Sequence, residues 1–205
     1  MPDLAVLAVF IPTFFFVSIT PGMCMTLAMT LGMSIGVKRT LWMMLGELVG
    51  VAIVAVAAVL GVASVMLNYP QIFQGLKWLG GLYLIYIGIN MWRAKGKMAQ
   101  IDGQAINTRR LSLMSQGFIT AIANPKGWAF MISLLPPFIT VDKPVAPQLL
   151  VLLAVIMVTE SLSMLAYASG GKSLRIFLSK GDNIRWMNRI AGSLMMLVGV
   201  WLALE

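Results

Sequence analysis

From Leu4 to Leu204 the chain is a succession of six apolar segments separated by short polar breaks. They lie at about Leu4–Gly36, Thr40–Leu67, Gln74–Trp92, Leu111–Ile139, Pro147–Ala168 and Ile184–Leu204. A membrane-spanning helix needs about 20 apolar residues, and each segment is about that long or longer. Only 11% of residues are charged, whereas a soluble domain carries about 25%. Water therefore cannot form the exterior, and lipid must. The predicted fold is an all-α integral membrane protein with six transmembrane helices, forming one transmembrane domain over residues 1–205. No stretch reads as a linker or a second domain. The apolar start at Leu4 has no basic segment before it, so it reads as the first span rather than a cleaved signal peptide.

Two segments are too long for one straight crossing. The first is interrupted at Pro21-Gly22 and the fourth at Asn124-Pro125-Lys126. The second ends at the turn signal Asn68-Tyr69-Pro70, and the fifth stops at Gly170-Gly171.

The net charge of +8 would suggest nucleic acid in a soluble protein. The placement of the basic residues gives a simpler account and no nucleic-acid partner is expected. Lys38, Arg39, Arg93, Lys95, Lys97, Arg109, Arg110, Lys172, Arg175, Lys180, Arg185 and Arg189 all fall on one side of a six-span arrangement. Only Lys77 and Lys143 fall on the other, and Lys126 lies inside the fourth span. Cytoplasmic loops carry the excess of Lys and Arg. The basic loops are thus expected in the cytoplasm and both termini outside.

The two halves match at wide offsets. Pro21 corresponds to Pro125, Glu47 to Glu160, and Gly81 and Gly88 to Gly192 and Gly199. Three spans per half place the second half upside down relative to the first. The predicted repeats cover about residues 1–92 and 111–205, joined by a basic cytoplasmic loop at about 93–110. Inverted repeats with helices broken at matching positions are the architecture of secondary transporters, which bind substrate near the midplane.

The candidate site follows from groups that lipid does not tolerate. A proline inside a helix removes a backbone hydrogen bond, and groups so freed must be satisfied by protein or by a polar cavity. Helix halves starting at Pro21-Gly22 and at Pro125 would turn positive N-terminal ends toward an anion such as a carboxylate; the alternative is a packing kink. Glu47 and Glu160 each lie roughly 12 Å from the cytoplasmic end of their span at 1.5 Å per residue. A charge at a helix centre costs on the order of 3 kcal/mol, so neither acid should face lipid. They are candidates to bind a proton, an amine, or each in turn; a neutral acid hydrogen-bonded between helices is the alternative. Lys126 pairs with an acid, holds a carboxylate or snorkels. Ser18, Thr20, Thr26, Asn124, Thr159, Ser161 and Ser163 offer neutral hydrogen bonds in the same spans.

These residues carry a resemblance. Thr20-Pro21-Gly22, with Gly32, Gly36 and Gly46, is similar to the first-span signature of the LysE/RhtB-type amino-acid exporters. Asn124-Pro125-Lys126-Gly127 resembles that family's fourth-span motif, and Leu79-Gly80-Gly81-Leu82-Tyr83-Leu84 with Gly88 its third span. The resemblance implies export of small amino acids, neutral ones favoured, from a bacterial cytoplasm across the inner membrane by proton antiport. It implies Thr20, Pro21, Gly22, Asn124, Pro125 and Lys126 as substrate-binding residues, with Glu47 and Glu160 for coupling or amine binding. The chain departs from the family at Met23, where a second proline is usual, and at Val51, where an Asp is frequent. Glu47, one turn before Val51, is a candidate substitute.

Other readings were weighed. Met23-Cys24-Met25 beside the first break would suit a soft metal ion as transported solute, although methionine is also an adaptable apolar filler. A Ser–Lys dyad using Lys126 is the enzymatic alternative, but no second motif supports it and the chain has no histidine. An enzyme is not expected, nor a bound metal or cofactor. The glycine-rich third and sixth spans would serve either a homodimer or packing within one chain.

Overall fold

The computed structural model describes residues 4–68, 70–94, 108–135, 138–139, 143–179 and 181–204. Tyr69, Lys95, Lys97 and Lys180 lie outside the described residues, as do the side chains of Lys77 and Lys172 and most of the loop expected at 93–110. Among the described residues the elements run α1 (Leu4–Ile19), α2 (Met23–Ile35), α3 (Val37–Asn68), α4 (Pro70–Arg93), α5 (Arg110–Ile122), α6 (Pro125–Leu134), α7 (Val145–Ser179) and α8 (Gly181–Leu204). The all-helical expectation is met.

Both expected breaks are present. Pro21 has no N–H for the carbonyl four residues back, the chain passes through Gly22 in an extended conformation, and α2 leaves at 55° to α1. At the second break Pro125 takes the first position of α6, where the missing N–H costs nothing. Asn124 caps that helix, its side-chain oxygen accepting from Lys126 N at 3.1 Å.

Val37–Gly61 and Val145–Gly171 are each long and apolar enough to cross a membrane, and the bent pair α1–α2 brings the total to three among the described residues. The fifth segment differs from expectation. Gly170-Gly171 does not end the helix but kinks it: Gly171 takes φ 46°, and helix resumes through Ser179. A positive φ is available to glycine at little cost, and the residues beyond it are ordinary helix formers. Similarly, the turn signal at Pro70 is the start of α4 rather than a loop.

Close helix packing rests on glycine. A methyl placed on Gly88 would stand 2.6 Å from the Gly192 carbonyl oxygen, and one on Gly199 2.6 Å from the Gly81 oxygen. The order of these pairs makes α4 and α8 antiparallel, as two halves in opposite orientation require. The glycine faces are thus closed against each other within one chain, and they are not the surface through which a second copy would pack. Gly46 and Gly117 bring α3 and α5 together in the same way.

Two hydrophobic clusters divide the molecule. One gathers Phe10, Phe14, Val54, Phe130, Phe138, Leu152 and Ile156. The other gathers Met25, Met29, Met43, Met44, Met164 and Tyr167. Along α3 the chain passes from Met43 and Met44 in the second cluster to Val54 in the first, and along α7 from Ile156 in the first to Met164 in the second. Glu47 and Glu160 fall in the intervals.

Candidate functional site

Between the two clusters lies a cavity of about 60 Å³, room for about four or five water-sized groups. The segments that form it are the two breaks, the end of α5, and the middles of α1, α3 and α7. Thr20, Gly22, Asn124, Lys126, Glu47 and Glu160 all line it. Pro21 and Pro125 do not; they shape the breaks whose neighbours do. Residues 104 to 142 positions apart in sequence meet here because each interrupts its helix, or its apolar run, at the same depth.

The polar groups are only partly satisfied. Ser18 Oγ donates to Glu160 Oε1 at 2.8 Å, tying α1 to α7. Glu47 is 1% exposed, and its Oε2 has no hydrogen-bond partner. Burying an unpaired polar atom costs a few kcal/mol, so this carboxyl is held ready for a partner. The Cys24 thiol sits between Asn124 Nδ2, at 3.8 Å, and the Glu47 carboxyl. Lys126 Nζ lies 5.4 Å above the Phe130 ring and beside Gly22, within 3.8 Å of where a methyl would stand. No salt bridge joins Lys126 to either acid among the described residues.

The backbone adds to the positive side of the site. Gly22 offers no side chain to cap α2, and the first helical bond runs from Thr26 N to Gly22 O at 2.9 Å. The N–H groups ahead of Thr26 have no acceptor inside the helix. They and Lys126 form the cationic side, which Glu47 and Glu160 oppose. The α1 end of the break is fastened separately. Thr20 Oγ1 donates to Phe16 O at 2.6 Å, and Tyr167 Oη donates to Ile19 O at 2.8 Å.

Other expected contributors fall elsewhere. Thr159 turns its hydroxyl back to Val155 O and Ile156 O, and Ser163, Ser161 and Thr26 do not line the cavity. Met25 and Met29 pack in the methionine-rich cluster. Met25 and Cys24 line the cavity, and Met23 does not. The apolar lining, which includes Phe14, Val54, Phe130 and Met131, was not singled out by sequence reasoning. One signal for it was available: Phe14, Val51 and Phe130 each sit four residues from a polar residue already suspected, namely Ser18, Glu47 and Lys126.

Comparison with known proteins agrees with this picture. The profile of the LysE type translocator family matches residues 15–205. The chain is 29% identical over 186 residues to the homoserine/homoserine lactone efflux protein of Salmonella typhimurium, covering 91% of this chain and 90% of that one. It is 25% identical, at the same coverage, to an uncharacterized membrane protein of Vibrio cholerae. A leucine efflux protein of Klebsiella pneumoniae is 27% identical over 129 residues, 62% of this chain and 60% of its own length. No solved structure matches. This chain is a multi-pass membrane transporter and not an enzyme, and it belongs to the LysE type translocator family.

Proposed function

We propose that the protein exports a small amino acid, neutral ones favoured, from the bacterial cytoplasm across the inner membrane in exchange for protons. In this reading the polypeptide crosses six times as two inverted three-helix repeats, with both termini outside and the basic loops in the cytoplasm. The observation that carries the proposal is the cavity at the meeting of the two helix breaks, with Lys126 and uncapped N–H groups on one side and Glu47 and Glu160 on another. A zwitterion presents both charges at once, and such a cavity offers a complement to each.

Substrate carboxylate is held by Lys126, Asn124 and the start of α2 near Gly22, with Thr20, Pro21 and Pro125 shaping the backbone around it. The amine meets Glu47. The same carboxyl takes a proton when the amine leaves, so that proton and substrate alternate at one group. Glu160, held by Ser18, orients α7 against α1 and shares the charge. Export of a neutral zwitterion against one entering proton draws on about 1.4 kcal/mol per pH unit and about 2.3 kcal/mol per 100 mV. The names of the homoserine and leucine efflux relatives support an amino-acid-like substrate.

The test is efflux from proteoliposomes preloaded with a panel of labelled amino acids, with and without an imposed proton gradient. Efflux of a group of small neutral amino acids that quickens when protons are driven inward is the expected result. Efflux indifferent to the gradient removes proton coupling, and efflux of none removes the substrate class.

A further inference from the structure

The cavity is layered. On three helices a polar lining residue is followed, one turn away, by a hydrocarbon one: Ser18 and Phe14 on α1, Glu47 and Val51 on α3, Lys126 and Phe130 on α6. Four residues of helix rise about 6 Å. The hydrocarbon members lie on one side of the polar ones. Phe14 and Phe130 belong to the aromatic cluster, and Val51 packs against it. The hydroxyls closest in sequence to this layer are committed: Thr13 Oγ1 donates to Val9 O at 2.8 Å, and Ser18 Oγ to Glu160. A zwitterion whose charged groups occupy the polar layer must send its side chain either into this hydrocarbon wall or out of the cavity.

We infer that Phe14, Val51 and Phe130 form the side-chain subsite and select a short aliphatic side chain over a hydroxylated one of the same size. This rests on the amino-acid export reading above and adds to it the residues that choose among neutral substrates. The physical basis is desolvation. A hydroxyl entering the wall leaves water and finds no side-chain partner there, whereas a methyl loses nothing. An apolar pocket rejects an added hydroxyl only moderately, by about 10- to 100-fold.

The experiment compares norvaline with homoserine, which differ by a terminal methyl against a hydroxyl, and valine with threonine, in proteoliposomes carrying the full chain. The expected result is a kcat/KM ratio of about 10 to 100 in favour of the hydrocarbon member of each pair. In Val51→Asn, which brings hydrogen-bonding capacity to the wall, the ratio should fall about 10-fold or more, chiefly through faster homoserine efflux. Val51→Thr should move it the same way and guards against misfolding of the first variant. Equal transport of norvaline and homoserine by the wild type overturns the subsite while leaving amino-acid export standing. So does an unchanged ratio in a Val51 variant that still transports. Transport of no amino acid by correctly reconstituted protein overturns the export reading and this inference with it.

Discussion

Replacing Gly46 by alanine tests whether the site is held in place by backbone contact between α3 and α5. A methyl at Gly46 would stand 2.6 Å from the carbonyl carbon of Met114 and 2.8 Å from its Cα. Carbon atoms in contact rest at about 3.5–4.0 Å, so the helices must part by about 1 Å. The obstacle is backbone on both sides and cannot rotate away. Overpacking of this kind costs about 1–3 kcal/mol, which lowers the unfolding midpoint by roughly 2–12 °C for a chain of this size. The functional effect should be larger. Glu47 is the next residue, and a displacement of about 1 Å at a positioned group can reduce rates by about 100-fold. The assay pairs thermal unfolding in detergent, read by size exclusion, with efflux from proteoliposomes. A Gly46→Ala protein that melts within a degree of wild type and exports at the wild-type rate would refute the reasoning. The control lies on the same helix, where nothing stands within 4 Å of a methyl at Gly61. Gly61→Ala should therefore leave transport intact and be neutral or stabilising by about 0.5–1 kcal/mol.

Two smaller perturbations probe the breaks. Asn124→Ala removes the cap on Lys126 N and the contact with Cys24; it should cost about 0.5–2 kcal/mol of stability and raise the KM for efflux. Tyr167→Phe removes the hydroxyl bonded to Ile19 O. A stability loss of about 1 kcal/mol, measured by the same melting assay, with substrate preference unchanged, is the expected signature of a fastening residue.

The residues that stood out in the sequence are those that violate the rules of an apolar environment. Pro21 and Pro125 break helices wherever they stand in one, and Glu47, Glu160 and Lys126 are conspicuous because an apolar run gives them no lipid-facing place. Their partners could not be found the same way. Ser18 is one hydroxyl among several in its segment, and only the packing of α1 on α7 distinguishes it from Thr159, whose hydroxyl bonds its own helix. Phe14, Val51 and Phe130 look like any other apolar residue in a chain that is 60% hydrophobic. The pairing of Gly81 with Gly199 and of Gly88 with Gly192 reverses the order of the sequence match, because the helices run antiparallel. Gly170-Gly171 reads locally as a stop, yet a single residue of positive φ kinks the helix without ending it. The abundance of methionine has a physical place too. Met25, Met29, Met43, Met44 and Met164 fill one cluster, where an unbranched, adaptable side chain suits a packing that has to rearrange.

The central claim is that substrate occupies the cavity between the two breaks, and the chain carries its own reporter there. Cys24 is the only cysteine in the sequence and lines that cavity. The rate of its modification by methyl methanethiosulfonate, followed by mass spectrometry in proteoliposomes, measures whether the cavity is filled. A transported amino acid at ten times its dissociation constant should slow the reaction by about 10-fold, and the modified protein should no longer export. A modification rate indifferent to saturating substrate, or full export by protein modified at Cys24, would place the transport path elsewhere.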